Sequence, residues 1–291
     1  MIPVVVGSSP IGHPSPVFQA VRRAALEQIE RNARGVLSSE DPESLHQLRV
    51  GMRRLRAALR AFRPILPEKE AKRVREALGD LSPTLGRARD WDVLLERLNA
   101  AHAAGQLIAR AQRKRAKARK KALRALASKK FARLSQIALE PEATSQSLAE
   151  FGAAALERAH RKLMKEARGA DWRNPAERHA VRIRVKRLRY SCEFFAPAFA
   201  SEQMISELKA LQEILGELND IAVGRRLVGF DADEARLLSR LELAWARFAR
   251  RAPFWRVQTL RGAARRIRSR ESAARAPSGS RRPRKPEARS T

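Results

Sequence analysis

Residues 46–64, HQLRVGMRRLRAALRAFRP, read together with residues 179–197, HAVRIRVKRLRYSCEFFAP, decide the fold class. Placed at 100° per residue, Met52, Leu55, Leu59, Phe62 and Leu66, with Leu48, form one band of helical spacing. A band of that width is the packing face of a helix. His46, Arg49, Arg53, Arg56 and Arg60 form a second band beside it, rotated by roughly 100°. The later stretch repeats the design. Val181, Val185, Leu188, Cys192, Phe195 and Phe199 make its apolar band, and His179, Arg182, Lys186 and Arg189 its basic one. Glu193 stands where the earlier stretch has Arg60.

The two stretches are copies. At an offset of 133, His46 matches His179, Arg49 matches Arg182, Arg53 matches Lys186, Arg54 matches Arg187, Phe62 matches Phe195 and Pro64 matches Pro197. Farther on, LGRARDWDV from Leu85 matches LGELNDIAV from Leu215 at an offset of 130, keeping Asp90 and Asp220 in register. Drift in an Arg/Ala/Leu-rich chain produces scattered matches, not His, Phe, Pro, Gly and Asp in the same order. The chain is therefore read as an internal duplication.

Helical segments are expected at about 17–34, 43–63, 68–101, 106–137, 145–167, 175–196, 202–228 and 233–268. Asp41–Pro42 and Asn174–Pro175 each place a capping side chain before a proline at a helix start. An Arg-Gly pair, Arg34–Gly35 and Arg168–Gly169, is expected to end the helix before each copy, and Pro83 and Pro253 should kink or break theirs. The expected architecture is all-α, with residues 16–140 and 141–270 each forming a four-helix bundle. Residues 1–15 read as a leader, and residues 271–291 as a disordered basic tail.

Composition bounds the partners. The 291 residues carry 61 Lys and Arg against 31 Asp and Glu, a net charge of +30. The tail from Ala276 holds only +4 of this, so the charge belongs to the folded body. Such a field concentrates polyanions. The single cysteine, Cys192, excludes an intramolecular disulfide framework and fits a reducing compartment. No apolar run reaches the length that spans a bilayer, and no signal peptide is evident. A cytoplasmic protein without membrane insertion is expected.

The basic bands border the packing faces rather than lying opposite them, and the far border is apolar too: Val50, Ala57 and Ala61 in one copy, Ile183, Tyr190 and Phe194 in the other. A row of one charge sign between apolar borders predicts a groove for an anion. From His46 to Arg60 the row rises about 21 Å, which suits a linear polyanion, and guanidinium forks suit phosphate oxygens. The candidate binding set is these two rows together with Arg54, Arg187 and Tyr190. Asp90, Asp92 and Asp220 are expected to hold the arginines in register. The twelve Lys and Arg of residues 110–133, with no acid among them, read either as a second phosphate wall or as a solvated face. Cys192 reads as an inert buried thiol.

Enzyme signatures are missing from the sequence. It contains no Gly-rich phosphate loop, zinc spacing or nucleophile elbow, and Arg178–His179 lacks the following glycine of a histidine phosphatase. No catalytic residue, metal site or cofactor is expected.

The motifs HQLRVGMRRLR, LGRARDWDV, HAVRIRVKRLRY followed by Glu193, and LQEILGELND, taken in order over about residues 17–250, resemble the CHAD family, the conserved histidine α-helical domain. The resemblance implies two four-helix bundles related by a pseudo-twofold axis, a basic central surface, and binding of inorganic polyphosphate at polyphosphate granules. His46 and His179 match the family's named histidines. Members often accompany a triphosphate tunnel domain, whose Glu-x-Glu-x-Lys motif this chain lacks, so a stand-alone version is expected. Asn219 in place of Arg89, and Ala222 in place of Asp92, depart from strict repetition and bear on whether the halves bind equally. The rival expectation is a nucleic-acid-binding or nucleoid-associated protein, which would call for base-stacking aromatics or a groove-reading helix; the basic rows themselves carry neither. A hydrolase of polyphosphate would need a metal cluster or nucleophile.

Overall fold

The computed structural model describes residues 12–229 and 233–256. It is all-helical, with no strand among the described residues. In chain order the helices are α1 (Pro14–Ser38), α2 (Pro42–Ala61), α3 (Glu68–Ala100), α4 (Gly105–Leu126) and α5 (Lys129–Gln136). Then follow α6 (Leu148–Arg168), α7 (Pro175–Phe195), α8 (Glu202–Val228) and α9 (Ala235–Ala249). The leader up to residue 11 and the basic tail lie outside the described residues.

The helices start where local chemistry directs. Asp41 accepts a hydrogen bond from the backbone N–H of Glu43, and Asn174 accepts one from Ala176, each just ahead of a proline. Ser147 and Glu150 close a reciprocal capping box on α6. After α2 and α7 the chain makes the same short 3-10 turn, Arg63–Ile65 and Ala196–Ala198, around the matching Pro64 and Pro197.

Three expectations need correction. Gly35 does not end α1, which continues to Ser38. A Cβ at Gly35 would stand 2.6 Å from the Ser44 hydroxyl, so this glycine lets α1 and α2 approach closely. Its counterpart Gly169 does cap α6. Pro83 lies inside α3 without breaking it. A mid-helix proline costs about 3 kcal/mol, and burying even two of the flanking leucines offsets that at about 1.5–3 kcal/mol each; Leu78, Leu81 and Leu85 are all buried. Finally, the segment expected over 106–137 is two helices, separated by a break at which Ser128 caps α5. Pro253 does lie beyond the end of α9.

In the first half α2 packs on α1 and α3, and α4 covers α3 and reaches back to α1. In the second half α6, α7, α8 and α9 pack in sequence, and His160 of α6 closes the set against Phe248 of α9. This order is compatible with the duplication. Equivalent helices also meet across the seam, α2 against α7 and α3 against α8. The matched residues Phe62 and Phe195 touch there, with ring centroids 5.1 Å apart, and Phe18, Phe151 and Phe194 extend the cluster. One apolar core therefore runs through both halves. It fixes the distance between the two basic rows, because aromatic side chains at the seam cannot be compressed or slid without opening voids.

Candidate polyanion-binding groove

The apolar bands of α2 and α7 are buried as their spacing requires: Leu48, Met52, Leu55 and Leu59 in one helix, Val181, Val185, Leu188 and Cys192 in the other. With those faces committed to the core, the adjoining basic rows turn toward each other across the seam. They line a groove of about 1180 Å³ whose remaining walls come from α3 and α8. Ten Lys and Arg side chains and two histidines line it against four carboxylates, Asp90, Glu213, Glu217 and Asp220.

Ten of the twelve expected binding residues lie on this groove: His46, Arg49, Arg53, Arg56, Arg60, His179, Arg182, Lys186, Arg187 and Tyr190. Arg54 and Arg189 do not. The Arg54 guanidinium sits 5.9 Å from the centroid of the Phe194 ring. Arg189 is buried, its guanidinium 4.4 Å from the Tyr190 ring centroid, and it pairs with Glu193 and with Gln212. Its counterpart Arg56 stays on the groove because the position matching Glu193 is Arg60. One acidic substitution thus converts a groove cation into a structural one.

Three groove cations were not in the expected set: Arg87 and Arg89 from α3, and Arg226 from α8. The first two sit in the LGRARD motif, directly before Asp90, and that adjacency was the available signal. Gly86 of the same motif has a positional reason. A Cβ there would stand 2.8 Å from Nη1 of Arg49, which donates to the Ser82 carbonyl at 3.3 Å. Around the matching Gly216 the space is open.

The aspartates divide. Asp92 accepts a hydrogen bond at 2.6 Å from Arg115 of α4, not from a groove arginine, so it docks α4 on α3. Asp220 pairs with Arg97 at 3.6 Å, and both Asp90 and Asp220 line the groove. The two histidines also differ. His179 Nδ1 donates to Asn219 Oδ1 at 2.9 Å. Among the described residues His46 has no such partner: burial, and then the nearby Arg89, push its pKa below the usual value.

Crowding and burial strain the cation row. Burial pushes Lys186 down to about 6, with Arg182, Arg53 and Arg49 acting in the same direction and Asp220 opposing. Arg49 is lowered to about 10, chiefly by burial and then by Arg53. Burial likewise lowers Arg182. The Nε atoms of Arg49, Arg53 and Arg182 are buried with no protein acceptor. Buried donors without acceptors are costly. Among the described residues no group of three or more His, Cys, Asp and Glu gathers as a metal would require.

The two copies predict different outcomes at matched positions. Arg56→Ala should weaken polyanion binding by up to about 1.5–3 kcal/mol, the worth of a charge-assisted contact, and leave the melting temperature nearly unchanged. Arg189→Ala should lower the melting temperature, because Glu193 loses its partner, and barely alter affinity. Calorimetry and thermal melts on the pair check this; equal affinity losses would contradict it.

Fold and site together define an all-helical protein with a cationic groove at the seam of two similar halves. The chain belongs to the CHAD domain family, whose family model matches residues 20–229. It is similar to the CHAD domain from the plant Ricinus communis, with a TM-score of 0.63 and 31% identity over 84% of this chain and 89% of that one. PptA from Streptomyces chartreusis shares the fold, with a TM-score of 0.62 and 20% identity over 81% of this chain and 97% of that one. Uncharacterized protein Rv2226 of Mycobacterium tuberculosis strain H37Rv is 29% identical over 243 residues, 75% of this chain. Uncharacterized protein MT2285 of strain CDC 1551 matches to the same extent. The chain spans about half the length of these two curated relatives, 46% in each case.

Proposed function

We propose that the protein binds inorganic polyphosphate in the seam groove, without catalysis, and that this binding targets it to polyphosphate granules in the cytoplasm. The observation that carries the reading is the groove itself, where ten Lys and Arg side chains from four helices face one space of about 1180 Å³ against four carboxylates. A linear phosphate chain supplies closely spaced acceptors to both rows at once. Membership of the CHAD family, which is linked to polyphosphate, supports the same ligand. Duplex nucleic acid, with sugars and bases attached, is the bulkier polyanion, and we assign the groove to the bare phosphate chain. No helix among the described residues is long and apolar enough to cross a membrane.

Calorimetric titration with polyphosphate and with duplex DNA of matched charge, at two salt concentrations, tests the reading. Polyphosphate should bind with an affinity that falls steeply with salt, as released counterions require, and prolonged incubation should liberate no orthophosphate. Absence of saturable polyphosphate binding would refute the ligand, and steady orthophosphate release would refute a non-catalytic role.

A further inference from the structure

Helix α4 carries a second concentration of charge that the groove does not use. None of its residues lines the groove. Arg110, Arg113, Lys114 and Lys117 are exposed, as are Lys120, Lys121 and Arg124, and none makes a hydrogen bond or ion pair among the described residues. Spacings of three and four place them in two adjacent rows along one face, rising about 21 Å. The opposite face is committed to the protein through Ala111, Ala118, Ala122 and Leu126. Two further arginines fix the orientation. Arg115 bonds to Asp92 and Glu40, and Arg119 bonds to the carbonyls of Val36 and Ser39.

The duplication provides an internal control. The counterpart of α4 is α9, which holds only Arg236, Arg240 and Arg247 and includes Glu242. The fold therefore does not demand a basic face at this position. Like charges so crowded repel one another unless an anion neutralises them, and repulsion that the fold does not require points to a partner.

We infer that the exposed face of α4 is a binding surface for duplex nucleic acid, separate from the seam groove. The surface is the exposed face of a single helix and lies outside the groove, so it accepts a wide, stiff polyanion. A duplex presents about one charge per 1.7 Å of axis, or roughly twelve phosphates along the row, and its stiffness holds them in place beforehand. A flexible phosphate chain would lose conformational freedom for contacts on one side only. An anionic bilayer fits less well, because the apolar side of α4 is buried and the helix has nothing to insert between headgroups. The contacts are to phosphates, so binding is insensitive to base sequence. The chain can then hold polyphosphate in its groove and a duplex on α4 at the same time.

The test compares K114A/K117A/K121A with R53A/R182A and the unaltered full chain, using a labelled short duplex of random sequence. The α4 variant should bind duplex roughly a hundredfold more weakly at physiological salt, with a log–log salt slope shallower by about three. Its polyphosphate affinity should stay within about threefold, since those lysines do not reach the groove. R53A/R182A should show the converse, and one equivalent of polyphosphate should leave duplex binding in place. The inference is overturned if the α4 substitutions leave duplex affinity unchanged, if they weaken both ligands equally, or if the groove variant loses the duplex. It is also overturned if vesicles containing phosphatidylserine, rather than the duplex, lose binding in the α4 variant.

Discussion

R53A/R182A should reduce polyphosphate affinity by about two to four orders of magnitude, with each charge-assisted contact worth about 1.5–3 kcal/mol. These two residues are the choice because they face each other across the seam, one from α2 and one from α7, and each buries an Nε with no protein acceptor. They are also near enough for Arg53 to lower the pKa of Arg182. Removing both relieves that repulsion, so the empty protein should melt at the same temperature or higher. That split separates a binding role from a structural one. Calorimetry with polyphosphate and a thermal melt without it read the two effects; a large fall in melting temperature with little loss of affinity would contradict the groove assignment.

The second large effect is pH dependence centred on Lys186. In the empty groove burial holds its pKa near 6, so the amine is neutral at pH 7 to 8. A polyanion beside it favours the charged form, and binding must therefore take up a proton above pH 6. Affinity should be greatest below pH 6 and fall as pH rises, by up to about tenfold per unit, until the pKa of the bound state is passed. The stability of the empty protein runs the other way. The unfolded chain protonates this lysine up to about its ordinary value of 10.4, so stability is lost as pH falls from there toward 6 and is fully present only above that window. Calorimetry in buffers of different ionisation enthalpy should show uptake of up to one proton per complex near pH 8. Lys186→Met should remove most of the pH dependence of affinity, leaving what His46 and Asp90 contribute. An affinity flat from pH 5.5 to 8 in the unaltered protein would refute the coupling.

What could be read from the sequence, and what could not, divides along a physical line. Local periodicity set the helices, since the bands of α2 and α7 depend only on which residues recur every three or four positions. Local hydrogen bonding set their starts, at Asp41 and Asn174. The basic rows were legible because they share a helix with the apolar bands, so burying one necessarily orients the other. The family was legible for the same reason, its motifs being runs along single helices.

Contacts between helices decided the rest. Gly35 reads as a helix terminator until Ser44 is found against it, and Pro83 as a break until the leucines around it are buried. Arg189 reads as a ligand contact until Glu193 and Gln212 claim its guanidinium, while Arg226 joins the groove because α8 lies beside α7. The neutral state of Lys186 has no counterpart in the sequence at all. It arises because burial removes water and brings Arg49 and Arg53 of α2 beside it, and both desolvation and Coulomb repulsion act through space. The sequence by itself determined which residues form helices and which faces they bury. Only the tertiary structure decided which charges meet, because that depends on distances between segments far apart in the chain.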